Sequence, residues 1–165
     1  MKCSARLRLV SRTTALLIIT MVAGGGLAGI SKGASWNRIE PLKSRRADVI
    51  KIMGPPVSES PEGGLRFKVS GGSVQINFVD GKFVTTKKLS RELEGTVLQI
   101  ILQHEHSSDT PESMNLLKNR QFVRDDIKGI SIFRNGKEGI VYTFIDGTLK
   151  TTRYTFADGQ LHARR

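Results

Sequence analysis

Four Asp-Gly or Asn-Gly dipeptides, at 80–81, 135–136, 146–147 and 158–159, punctuate a 165-residue chain whose intervening runs alternate apolar and polar side chains. These dipeptides supply the positive φ angles of tight hairpin turns, and period-two alternation sets one strand face against a core and the other in water. From Leu65 onward the pattern therefore reads as an antiparallel meander. LRFKV places Leu65, Phe67 and Val69 on one face, and SVQINFV does the same with Val74, Ile76 and Phe78. Asp80-Gly81 is expected to turn the chain so that KFVTT pairs back. ISIFR, GIVYTFI and TLKTTRYTF repeat the scheme around Asn135-Gly136 and Asp146-Gly147. TVLQIILQHEH is expected to be a central strand, with Val97, Gln99, Ile101 and Gln103 on one side and Leu98, Ile100, Leu102 and His104 on the other.

Two short helices are expected. In SRRADVIKIMGPP, Ser44 is placed to N-cap a helix whose Val49, Ile50 and Met53 form an apolar stripe, with Gly54 and Pro55-Pro56 ending it. A second begins at Thr110, with Pro111 in the first turn, and runs toward Asn119. LSRELEG, 89–95, reads as a short helical turn or a loop.

The two halves superpose in sequence at an offset of 66 residues without a gap. FVDGKFVTTKK (78–88) falls on FIDGTLKTTRY (144–154), Phe67 on Phe133, Val74 on Ile140 and Ser44 on Thr110. The fold class is therefore α+β: two short helices on an antiparallel sheet built from tandem helix-plus-meander units, about 44–88 and 110–157, in one domain spanning 35–165. Units this short bury too little to fold alone.

A short helix with Asp48-Val49 near its centre, ending in Met53-Gly54-Pro55-Pro56 before a meander, resembles the module of the β-lactamase-inhibitor-protein and small outer-membrane assembly lipoprotein (SmpA/OmlA-like) group. The resemblance covers mainly residues 36–86, with a weaker echo in 110–157. WNRIEPLKSRRADVIKIMGPP also resembles the opening of exported bacterial proteins of unknown function with the same layout. The resemblance implies an envelope or secreted protein that works by binding another protein. The chain departs from the group in having no lipobox cysteine, no cysteine pair and no Gly-Pro ending to the second helix.

Residues 1–34 read as a signal peptide: Lys2, Arg6, Arg8 and Arg12 precede TTALLIITMVA and the small residues GGGLAG, with cleavage after Ala28 or Gly33. The alternative is an anchor in the inner membrane through residues 13–30. Cys3 is the sole cysteine, so a cleaved chain has no disulfide, thiol nucleophile or Cys-ligated metal. The net charge of +11 includes five basic residues before Ser35; beyond it stand 21 basic and 15 acidic residues, a balance of +6. Such a surface favours acidic proteins or anionic surfaces, and no nucleic acid is expected for an exported chain.

Candidate chemistry is sparse. On a strand, His104 and His106 share a face, and with Glu105 or Asp109 they form a candidate metal site that would make the protein a metal-binding protein or metal-dependent hydrolase. No serine lies in G-x-S-x-G, and Asp125-Asp126, which would point apart on an extended chain, are expected to close a turn before Lys128-Gly129, so no catalytic residue and no cofactor is assigned. For binding, the candidates are Tyr142, Arg153 and Tyr154 at the sheet's polar face and aromatic edge, together with Arg45 and Arg46. The alternative is that Trp36 packs on the core and the tyrosines are cross-strand partners. The reading is a non-enzymatic protein-binding or envelope-assembly module whose partner is another exported protein.

Overall fold

The computed structural model describes residues 33–162, and the expected signal peptide lies almost wholly outside them. Eight strands form one antiparallel sheet: β1 (Ser58–Glu59), β2 (Leu65–Val69), β3 (Gly72–Phe78), β4 (Val97–His104), β5 (Val123–Ile127), β6 (Ile130–Asn135), β7 (Ile140–Ile145) and β8 (Thr148–Thr155). Their order across the sheet is β1-β2-β3-β4-β8-β7-β6-β5. The α+β class stands, with two short helices, α1 (Arg46–Met53) and α2 (Gly81–Lys87), and a 3₁₀ turn at Arg91–Leu93.

The turn chemistry explains most of this meander. Lys128 and Gly129 adopt φ of 45° and 81°, and Asp146 and Gly147 adopt 48° and 75°, so each pair closes a two-residue hairpin. β4 is central, between β3 and β8. Its expected faces are altered by a bulge: Gln99 pairs with Asn77 but Val97 with Phe78, leaving Leu98 as the extra residue. Val97 and Ile100 are consequently buried in the same cluster.

Four local expectations are corrected. Asp80-Gly81 makes no hairpin; Asp80 has φ −100°, its carboxylate accepts from Phe83 N–H at 2.6 Å, and it N-caps α2. The place that KFVTT would take beside β3 is filled by β4, whose Val97 and Ile100 are buried there. Ser44 is not the cap of α1. Its hydroxyl accepts from Glu40 N–H at 3.0 Å, while the cap is Arg45, whose backbone N–H donates to the Asp48 carboxylate at 2.8 Å. Within α1, Val49 is buried and Ile52 and Met53 pack beside it, whereas Ile50 faces out.

The helix expected from Thr110 does not form. Its cap does, because Thr110 Oγ1 accepts from Ser113 N–H at 3.1 Å and Ser113 Oγ accepts from Thr110 N–H at 2.9 Å. Asn115 then turns left-handed at φ 59°, and the segment continues as turns. The two halves are thus not equal helix-plus-meander units in detail.

Three apolar clusters hold the fold. The first joins α1 and Ile39 to β2, β3 and β4 through Val49, Leu65, Phe67, Val74, Ile76 and Ile100. The third joins Leu116 to Phe133, Phe144 and Leu149 of β6, β7 and β8, with Phe133 and Phe144 edge-to-face at 5.6 Å. The second, Leu42, Val79, Val84, Leu89 and Leu93 with Leu98 and Phe156 alongside, closes the end of the sheet where β3 hands over to β4. α1 and the 110–122 segment lie on the same face of the sheet, because the strand residues they cover are in register across it.

Candidate functional site

The opposite face carries no such layer among the described residues. Strand register places Ile101, Arg153, Val141, Arg134 and Val123 directly beside one another across β4, β8, β7, β6 and β5. A parallel row reads Gln103, Thr151, Thr143, Ile132 and Asp125, and Ile127, Ile130 and Ile145 adjoin it. None of these aliphatic residues belongs to any of the three clusters. Val123, Ile127 and Ile145 are 65%, 59% and 41% exposed. A solvated sheet face ordinarily carries polar side chains, so seven aliphatics here depart from the expected alternation.

A shallow cleft of about 270 Å³ opens in this face, lined by Ile101, Ile132, Arg134, Val141, Thr143, Thr151 and Arg153. Its two cations differ. Arg134 pairs with the Asp125 carboxylate of β5, whereas Arg153 is exposed and has no hydrogen-bond or ion-pair partner among the described residues. Arg66 and Lys68 of β2 face the same way, since Leu65, Phe67 and Val69 occupy the packed side. Among the described strand residues of this face, four cations thus stand against the one carboxylate of Asp125.

Of the expected binding residues, Arg153 alone lies on this open face. Tyr154 and Tyr142 alternate to the packed side, where Tyr154 rests on the first cluster and Tyr142 on the third, 5.7 Å from Phe122. Burial raises both phenol pKa values. Trp36 also packs on the first cluster.

Arg45 and Arg46 are engaged within the fold. Arg45 donates to the Glu94 and Glu92 carbonyls at 3.1 and 2.8 Å, and Arg46 to the Gly63 carbonyl at 3.0 Å and to the Glu59 carboxylate. These bonds explain two arginines beside a helix N-terminus, where the dipole disfavours them.

His104 sits at the end of β4 on the packed side, its Nε2 2.9 Å from Thr152 Oγ1 of β8. Desolvation lowers its pKa, against a smaller opposing pull from Asp109. His106 is exposed, beyond the strand end. Among the described residues no group of three or more His, Cys, Asp or Glu side chains is arranged to hold a metal ion. Asp125 and Asp126 do not close the expected turn but lie within β5, on opposite sides of it; Asp126 accepts from Ser131 and Arg124, and these bonds lower its pKa.

Sequence reasoning missed the row on the open face. Its signal was there: ISIFR and GIVYTFI are apolar at both alternating sets, like a strand covered twice. Comparison with known proteins returned no significant match to a family model, a curated protein or a solved structure. No described helix is long and apolar enough to cross a membrane.

Proposed function

We propose that this is an exported, non-enzymatic binding module of the cell envelope or extracellular space, which takes another exported protein on its open sheet face. The observation that carries the reading is the band of Ile101, Val123, Ile127, Ile130, Ile132, Val141 and Ile145 outside every packed cluster. Contiguous exposed apolar surface rimmed by polar groups is a recurrent mark of protein interaction sites. Export rests on the signal-like pattern of residues 1–34, and kinship with the β-lactamase-inhibitor-protein and SmpA/OmlA-like group is part of the proposal. Asp48-Val49 in α1, the Gly54-Pro55-Pro56 stop and the antiparallel meander after it support that kinship.

We also infer that the two halves descend from one duplicated unit. Shifted by 66 residues, β1, β2 and β3 fall on β5, β6 and β7 to within about two residues.

The test is site-specific photocrosslinking in the producing cell. A photoreactive residue at Ile132 is expected to give one discrete adduct that Val141→Asp abolishes, and none when placed at Lys51 on the exposed side of α1. Equal adducts from both positions, or none from Ile132, would overturn the reading.

A further inference from the structure

We infer that the open face is built to receive an acidic amphipathic helix laid across the strands, a proposal that rests on the binding-module reading above. In the cross-strand row Ile101, Arg153, Val141, Arg134, Val123, cations and aliphatics alternate strand by strand. Neighbouring strands lie about 4.8 Å apart, so Arg153 and Arg134, two strands apart, are separated by about 10 Å along this row. In a helix, residues i and i+7 share a face and are about 10.5 Å apart along the axis. Carboxylates at i and i+7 therefore fall over the two guanidiniums. Aliphatics at i+3 and i+4 fall between them, over Val141 and toward Ile132 in the cleft.

An extended segment crossing in the same direction fits less well. Its side chains on one face recur at about 6.8 Å and then about 13.6 Å, either side of the arginine spacing.

Charge selects the occupant. Among the described strand residues of this face, Arg66, Lys68, Arg134 and Arg153 stand against Asp125 alone, so a second copy of this chain laid face to face sets cations against cations. An acidic partner is attracted by the same field. Arg153 is unpaired among the described residues, and Arg134 meets Asp125 through one nitrogen of its guanidinium, which leaves donors for a second carboxylate.

The probe is a fluorescent, alanine-based peptide with Glu at i and i+7 and Leu at i+3 and i+4, titrated against the purified protein. Fluorescence anisotropy and peptide circular dichroism are followed together. Saturable binding is expected, with a gain in peptide helicity and weakening by at least tenfold between low and physiological salt. The Lys-for-Glu peptide should not bind. Arg153→Glu combined with Arg134→Glu should reverse the preference, binding the Lys peptide and rejecting the Glu peptide, a swap that mere loss of folding cannot produce. Equal binding of both peptides to the unaltered protein, or no binding of the Glu peptide, would overturn the helix inference. A discrete Ile132 crosslink found alongside that failure leaves the sheet-face reading standing.

Discussion

Residues 78–88 and 144–154 share Phe, Asp, Gly and two threonines in the same places, yet one forms a capped helix and the other a hairpin. The divergence starts at the aspartate. Asp80 is extended and turns its carboxylate onto Phe83 N–H, whereas Asp146 adopts φ 48° and hands the turn to Gly147. The downstream residues decide between them. TLKTTRYTF supplies eight strand residues, Thr148–Thr155, that pair on both sides with β4 and β7. KFVTTKK is cut short by Ser90, the cap of the 3₁₀ turn, and β3 already has partners on both edges. Local sequence offers Asp-Gly two solutions, and the vacancy beside the preceding strand selects one.

Substitutions at matched positions test this contrast. The largest difference is expected at the phenylalanines. Phe144 is fully buried against Phe133, so Phe144→Ala should cost about 3–5 kcal/mol, while half-buried Phe78→Ala should cost about half that or less, read by urea denaturation. Equal losses would mean that the two segments carry the same packing load.

Glycine comes next. Gly147 has φ 75°, so Gly147→Ala should lose about 1 kcal/mol or more from strain alone. At Gly81 an added Cβ meets only the end of the Glu94 side chain at 3.3 Å, and Gly81→Ala should stay within about 0.5 kcal/mol of neutral.

The aspartates should differ in the opposite sense. Asp80→Ala removes a cap and should cost about 1 kcal/mol. Asp146→Gly should be close to neutral, because glycine accepts the positive φ that Asp146 already holds. Thermal melts of the two variants check the pair, and a costly Asp146→Gly would assign that carboxylate a bond beyond the turn.

The smallest effect concerns the seam between the halves, where His104 meets Thr152. Its folded pKa is depressed, so the unfolded chain binds the proton more readily. The stability this group contributes is full above its ordinary value near 6.5 and falls as pH drops toward the folded pKa. Stability should therefore decline modestly from pH 7 to pH 5, and His104→Gln should flatten that slope, measured as urea midpoints across the range.

Much of the sheet was legible because its signals are local. Asp146-Gly147 set its own turn, and β4 announced itself by apolar residues on both faces, whereas the turn expected at Asp125-Asp126 falls two residues later, at Lys128-Gly129. α2 was hidden because its sequence is also a hairpin's, and only the occupancy of both β3 edges excludes the hairpin. The helix expected at Thr110 failed one turn in, where Asn115 left the helical region, a choice among permitted conformations that composition does not rank. The candidate site was harder still. Arg153 could be named, but its neighbours Val141, Arg134 and Ile101 come from three other strands, and only the register brings them together.

The order of strands across the sheet has a consequence for how the molecule is made. β8, drawn from residues 148–155, is later in sequence than every other strand yet lies between β4 and β7, at the middle. Until it arrives, β1–β4 and β5–β7 are separate meanders with open inner edges, because β8 is the strand that pairs with both β4 and β7. A chain threaded across a membrane from its N-terminus therefore cannot lock its sheet during passage; the keystone is delivered after both arches, and an exported chain with this topology completes its fold on the far side.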